Sequence, residues 1–451
     1  MDYENLLSQA QTLANGMAAR GLLPGDIIVL GNLPSLEKIV ALWGCSLGGY
    51  KAFPLNIRYP QRKLIQLLDE LNPNLCISTQ DLGNHPTAIF SDLISAETSR
   101  AAPIASIFDS ELAATLLMTS GSAGIAKIVQ HSHLNHIRSA LGSNHNIPLN
   151  SSSRWFLALP LYHIGGLAIL YRSVLAGAAV IIPNDDDALV ESIQSHQVTH
   201  VSLVATQFKR ALETTNAANI LRRLDAILLG GSEIPNSLIA KAITEKLPIF
   251  LSYGSTEMAS QITTTRPNKI NPASVNSGLL LNDRDLIISH EGEILVKGST
   301  LAQGYLVGKS VIDFRDSEGW FHTGDVGYMD VQGSLTVTGR MDNQFVSGGE
   351  NIQPEHIEST LCRLAGIFHA LVLPKPDLEF GARPVAYIQL EKQRLTALEI
   401  GSFLRKSLPG YMIPVAFFQI PGELLDKGLK ISRHELAEYI SHENNHLQTV
   451  E

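Results

Sequence analysis

Short apolar runs alternate with longer segments of helical spacing over the first half of this chain. The strand-like runs fall at 26–30, 75–78, 112–119, 155–159, 178–182, 200–204, 226–229 and 249–253. Apolar positions recurring at three and four residues predict helices over 4–20, 60–71, 189–196 and 235–246. Strands interleaved with helices predict parallel sheets covered by helices. From about 258 to 338 the pattern shifts to short strands (285–289, 293–297, 334–338) and many turns, which predicts a smaller β-rich part. Beyond it, helices starting near 354, 398 and 432 and strands near 370, 384 and 415 predict a compact α+β unit. The expected fold is therefore α/β. A large N-terminal domain of helix-covered sheets with a small β-rich part spans 1–340, and a small, mobile α+β C-terminal domain spans 341–451.

Between the last β-rich strand and the helix near 354 lies Gly339-Arg340-Met341-Asp342-Asn343-Gln344-Phe345-Val346-Ser347-Gly348-Gly349-Glu350-Asn351-Ile352-Gln353-Pro354. It is too polar for a core strand and too specific in composition for an idle linker. The residues that follow begin a helix: proline at the first helical position, an acid in the first turn, then Ile357, Leu361 and Leu364 on one face.

Composition narrows the classes. A chain of 451 residues exceeds one ordinary core, so two or more domains are expected. Apolar residues at 45% and charged residues at 17% fit a compact globule. A net charge of −9 argues against sequence-independent nucleic-acid binding, which needs a basic face. Cys45, Cys76 and Cys362 are too few and too scattered for a disulfide framework or a zinc site, so a reduced cytoplasm is the simplest location. The start, Met1-Asp2-Tyr3-Glu4-Asn5, lacks the pattern of a secretory signal. The longest apolar stretch, 164–183, carries Arg172 and several glycines and reads as a buried helix running into a strand, not as a membrane insertion. An oligomer is compatible with all of this.

Five segments carry chemistry. Thr119-Ser120-Gly121-Ser122-Ala123-Gly124-Ile125-Ala126-Lys127 follows an apolar strand; its glycines let backbone N–H groups converge on an anion, and its hydroxyls and Lys127 add donors. On these residues alone it is equally a solvated turn between strand and helix. Leu159-Pro160-Leu161-Tyr162-His163-Ile164-Gly165-Gly166 puts a histidine at a strand's carboxyl end, facing a cleft or packed in a core. Gly230-Gly231-Ser232 and Tyr253-Gly254-Ser255-Thr256-Glu257 lie just past apolar strands, where open parallel sheets bind ligands. His322-Thr323-Gly324-Asp325 sets an acid in a tight turn, with Arg340 downstream. Lys427-Gly428-Leu429-Lys430-Ile431-Ser432-Arg433 would ordinarily be solvated charge. His131, His133 and His136 lack metal-ligand spacing on one helix face and read as polar helix-start residues, and Asp185-Asp186-Asp187 reads as a helix N-terminus.

In order and wording these segments resemble the motifs of the adenylate-forming acyl-CoA synthetases, over nearly the whole chain. The resemblance implies ATP, Mg2+ and coenzyme A as partners. It makes Thr119, Ser120, Gly121, Ser122, Gly124 and Lys127 the phosphate loop, with Ala123 and Ala126 standing where threonine and proline are usual. That departure implies weaker nucleotide binding or turnover. His163 would shape the acyl pocket and orient the carboxylate. Gly230, Gly231, Ser232, Tyr253, Gly254 and Thr256 would receive the nucleotide, and Glu257 would hold Mg2+, a hard cation suited to one carboxylate plus phosphate oxygens. Asp325 would take the ribose hydroxyls, with Arg340 at ribose or phosphate. Asp342 would be the hinge, and Ser347, Gly348 and Gly349 would meet CoA. Lys430 would be the adenylation lysine, with Lys427 in reserve, because Leu429 separates the glycine from Lys430.

Within that family, the short length, the Asp342-Asn343 pair, the Ser347–Pro354 run and Leu429-Lys430-Ile431-Ser432-Arg433 most resemble the o-succinylbenzoate–CoA ligases of menaquinone biosynthesis. That implies an aromatic dicarboxylate as substrate, with Ser260, Gln261 and Thr264 as candidates for its second carboxylate. Another aryl- or fatty-acyl-CoA ligase, or a non-catalytic binding protein with the same fold, are the alternatives.

Overall fold

The computed structural model describes residues 1–95, 109–119, 127–183, 188–266, 269–271, 275–391, 395–425, 433–441 and 447–450. Ser120, Gly121, Ser122, Ala123, Gly124 and Ala126 of the glycine-rich loop, the acidic run at 185–187, and both Lys427 and Lys430 lie outside these residues.

Apolar strands, buried in the middle and more exposed at the edges, form two sheets. One has eight strands, in the order Ser310–Ile312, Gly304–Val307, Lys127–Ser132, Ala113–Thr119, Lys51–Pro54, Ile27–Leu30, Leu75–Ile77 and Thr87–Ala88. The other has seven: Leu279–Leu280, Ser260–Thr264, Ile249–Ser255, Ala226–Leu229, His200–Leu203, Arg154–Phe156 and Ala179–Ile181. Strands buried on both faces, such as Ile27–Leu30 and Ala226–Leu229, pair in parallel beneath helices, as their unbroken apolar runs predict. The sheets are not parallel throughout. Lys127–Ser132 runs antiparallel to Ala113–Thr119, and Ser260–Thr264 antiparallel to Ile249–Ser255. The connections there are too short for the crossover a parallel pair needs.

The strand Lys127–Ser132 also corrects the reading of the histidines. His131 lies in that strand, His133 and His136 open the helix His133–Asn146, and all three are buried rather than polar surface residues. The glycine-rich loop therefore joins two strands, not a strand and a helix.

The β-rich part is a four-stranded antiparallel sheet of Arg284–Ile288, Glu293–Gly298, Phe321–Met329 and Leu335–Arg340. After it, Met341–Asn343 make one 3-10 turn, and Phe345–Ser347 pairs with Glu350–Ile352 as a hairpin. Its two-residue turn is Gly348-Gly349, with φ of +58° and +86°. Positive φ at both turn residues matches the twist of the flanking strands, which is why paired glycines stand there. The polar joint of the sequence is thus largely a hairpin. Pro354–Leu361 follows as a helix that buries Ile357 and Leu361 against Ile367, Val372 and Ile388 of the sheet Ile367–Asp377, Gly381–Leu390 and Phe417–Gln419.

The C-terminal sheet meets the larger part of the molecule at Phe368 and Glu391. Phe368 joins the core cluster of Phe208, Leu212 and Leu238. The Lys209 ammonium lies 3.8 Å from the centre of the Phe368 ring and 3.5 Å from Glu391. Among the described residues no helix is long and apolar enough to cross a membrane.

Candidate active site

Each functional segment leaves a strand at the point where its backbone runs out of partners. Gly230-Gly231-Ser232 follows Ala226–Leu229, and Gly231 takes a φ of +80°. Tyr253 and Gly254 sit at the end of Ile249–Ser255, next to Thr256-Glu257. A Cβ on Gly254 would run into the carbonyl of Ser260, so glycine is required there by the close approach of the returning strand. Thr119 and Lys127 pair directly across the mouth of the glycine-rich loop. His163 caps the helix Ile164–Ala176 with its side chain exposed, edge-on to Tyr162; partial desolvation, then the charge of Arg58, pushes its pKa down. A neutral imidazole there can accept at one ring nitrogen and donate at the other.

A relay of polar contacts ties the nucleotide candidates together. The Tyr253 hydroxyl donates to Asp325 at 2.6 Å, and Arg340 Nη1 donates to the other oxygen of Asp325 at 2.9 Å. Arg340 Nε donates to Asp342 at 3.0 Å, and Gln353 Nε2 donates to the Arg340 carbonyl at 2.8 Å. Burial, then Asp325, pushes the Tyr253 phenol far up, so it stays a donor. Asp325 and Arg340 are also direct cross-strand partners, which fixes their spacing. The expected ribose acceptor and hinge thus stand in one chain of contacts. Glu257 accepts from the Tyr305 hydroxyl at 2.9 Å through Oε1, while Oε2 accepts nothing among the described residues. One carboxylate oxygen left over suits a cation that takes its remaining ligands from phosphate and water. Among the described residues no group of three or more His, Cys, Asp or Glu could hold a metal by itself.

Of the expected acyl-pocket residues, Gln261 and Thr264 bond to each other, and Gln261 also accepts from Ser143. Ser260 differs: its φ is +111°, and its Oγ accepts from Arg172 Nη2 at 3.1 Å. Arg172 is 1% exposed, lies 5.4 Å from the Trp155 ring, and its Nε has no hydrogen-bond partner. No carboxylate pairs with it among the described residues. Burial, then the nearby charge of Arg284, drags its pKa down to about 9. Arg284 itself is spent on the carbonyls of Gln261, Asn282 and Ser139. The signal for Arg172 in the sequence is a lone arginine in a strongly apolar helix. Tyr305, after Gly304 in an ordinary strand, carried no signal.

The CoA candidates stand apart from this cluster. Ser347 is buried with an unpartnered Oγ, Gly348 N–H donates to the Phe380 carbonyl at 2.9 Å, and Gly349 has open space around it. Arg433, three residues past Lys430, forms ion pairs of 2.9 Å with Glu355 and 2.6 Å with Glu358. Its charge also reaches Glu233, next to Ser232, so Arg433 lies near the segment that follows the strand Ala226–Leu229.

The family model for AMP-binding enzymes matches residues 1–306. The 2-succinylbenzoate–CoA ligase of Haemophilus influenzae is 34% identical over 409 residues, covering 90% of this chain and 85% of that one. The o-succinylbenzoate CoA synthetase of Bacillus subtilis in complex with the acyl-adenylate intermediate OSB-AMP superposes with a TM-score of 0.84 at 30% identity, covering 96% of this chain and 92% of that one. A double mutant of the same enzyme bound to its product analogue OSB-NCoA gives 0.69 at 29% identity, over 96% and 92% of the two chains. With a family match over most of its length and these relatives, the chain belongs to the AMP-binding enzyme family.

Proposed function

We propose that this protein is an AMP-forming acid–thiol ligase that converts o-succinylbenzoate, ATP and CoA to o-succinylbenzoyl-CoA, AMP and pyrophosphate in menaquinone biosynthesis. One observation carries the substrate: Arg172 is a buried cation with no carboxylate beside it among the described residues, reached through Ser260. A charge held out of water needs an opposite charge, and the spare carboxylate of an aromatic dicarboxylate supplies one. A monocarboxylic acid leaves that guanidinium uncompensated, which disfavours fatty acids and benzoate.

In the first half-reaction an oxygen of the other carboxylate attacks the α-phosphorus of ATP, and the bond to pyrophosphate breaks. His163 lines the path of the acid, and Thr119 and Lys127 flank the phosphate loop. Asp325 accepts from the ribose hydroxyls, held in place by Tyr253 and Arg340. Lys430 balances charge as it passes between carboxylate and α-phosphate. Glu257 is the residue that would hold Mg2+, which when bound neutralises phosphate charge. In the second half-reaction the CoA thiol adds to the acyl carbon, its proton leaves to solvent, and AMP departs. The unit from 341 onward turns about Asp342 between the two, which brings the Ser347-Gly348-Gly349 segment to the acyl-adenylate; the lack of Cβ atoms at Gly348 and Gly349 leaves room for the pantetheine arm.

The test is consumption of CoA thiol with ATP and o-succinylbenzoate, beside benzoate and a long-chain fatty acid. Thioester from o-succinylbenzoate alone is expected. Thioester only from another acid refutes the substrate, and no adenylate from any acid refutes the enzyme.

A further inference from the structure

The strand Gly304–Val307 lies against Lys127–Ser132, with Tyr305 directly opposite Val129. This register puts Tyr305 beside the strand that leaves the phosphate loop. Its hydroxyl donates to Glu257 Oε1 at 2.9 Å. Its ring carries the Lys127 ammonium 4.6 Å from the ring centre. Behind, Phe314 packs edge-on at 4.9 Å and is itself packed on Phe321 at 4.7 Å, so the tyrosine has a firm back wall. A Cβ at Gly304 would meet the carbonyl of Ile312, so only glycine lets the strand reach this position.

We infer that Tyr305 is a positioning residue for the nucleotide, one side chain that sets the spacing between the acid directed at the metal and the lysine directed at phosphate. The inference rests on the reading of Glu257 and Lys127 as nucleotide residues. Opposite charges left to themselves would pair: Glu257 and Lys127 flank the same ring, and a direct ion pair between them would withdraw both from a ligand. The tyrosine intervenes. Its hydroxyl occupies one carboxylate oxygen and leaves the other available, while the negative face of its ring receives the ammonium without neutralising it. Burial, then Glu257, pushes the phenol's pKa well up, which keeps the hydroxyl a donor. Partners in the outer shell of a metal-binding carboxylate fix its orientation and typically change metal affinity about 10- to 100-fold when removed.

The test measures binding, not turnover: calorimetric titration of ATP into the full-length protein without any acid, across Mg2+ concentrations. Tyr305→Phe keeps the ring, its packing on Phe314 and the seat of Lys127, and removes one oxygen. It is expected to raise the Mg2+ concentration for half-maximal ATP binding about 10-fold and to leave Mg2+-free ATP binding unchanged. In a Glu257→Gln background the same substitution should add no further shift, because its effect passes through that carboxylate. Tyr305→Leu should also weaken Mg2+-free ATP binding, since Lys127 loses its support. An unchanged Mg2+ requirement in Tyr305→Phe, or an equal shift with and without Glu257, overturns the inference. A wild-type protein that binds ATP at no Mg2+ concentration overturns the nucleotide reading itself.

Discussion

A guanidinium buried without a carboxylate is costly, and among the described residues Arg172 is such a group: its pKa is dragged down by burial and by Arg284, yet it is placed against Ser260 and Trp155. Removing an uncompensated charge should help the free protein and harm the complex. Arg172→Leu is therefore expected to raise the melting temperature or leave it unchanged. The same variant should cut kcat/KM for o-succinylbenzoate by about 100-fold or more, as for a truncated buried charge pair worth about 3 kcal/mol. Adenylation of benzoate should change little. A matching loss with both acids, followed by steady-state kinetics, would count against a carboxylate partner. At this scale an acid in a tight turn and an arginine downstream single out Asp325 and Arg340, and the structure pairs these two side chains at 2.9 Å. The sequence was not legible where a role depends on neighbours: Ser260, Gln261 and Thr264 look alike along the chain, but only Ser260 meets the buried arginine.

At the scale of elements, the apolar periods marked most strands and helices well. The antiparallel strand Lys127–Ser132 escaped because its residues show no clear alternation, and its histidines were misread with it. His131 Nε2 donates to the Thr256 carbonyl at 2.7 Å, His136 shares a 2.7 Å hydrogen bond with Thr115, and the His136 ring stacks on Tyr171. Desolvation pushes His131 and His133 each down to about 4 from a usual 6.5. The unfolded chain therefore binds more protons between these values, and stability must fall as pH drops from about 6.5 toward 4. Each histidine should lose roughly 2 kcal/mol between pH 7 and pH 5. Urea melts at the two pH values check this, and a His131→Gln variant should lose less over the same interval. Equal stability at pH 7 and pH 5 would show that these rings are already hydrated. Because His131 holds the carbonyl of Thr256, acid should also loosen the segment from Tyr253 to Glu257 before the fold gives way.

At the scale of the whole molecule, the position of the C-terminal unit matters most. The superposition is closer on the acyl-adenylate complex of the Bacillus subtilis enzyme, at 0.84, than on its product-analogue complex, at 0.69, although the chains are covered equally. Lys209 lies against both the Phe368 ring and Glu391, which joins the helix Ala205–Glu213 to the C-terminal unit. A cation–π contact and an exposed ion pair together amount to about 1 kcal/mol. Lys209→Ala should therefore slow pyrophosphate release in a single turnover by about 5-fold, and should not slow thioester formation from supplied acyl-adenylate. Rapid-quench measurement of both half-reactions decides the matter, and equal slowing would argue against an arrangement-specific contact.

The sequence by itself determined the local chemistry and the order of the parts. Apolar period, paired glycines, proline at a helix start and short polar motifs are all properties of neighbouring residues, so they survive reading in one dimension. Tertiary structure alone decided which distant side chains share a space. Arg172 met Ser260, Tyr305 came between Glu257 and Lys127, and Lys209 met Phe368 only because separate strands and helices were packed together. Burial and pairing set the energy of a charge, and both depend on residues far along the chain, which no local pattern records.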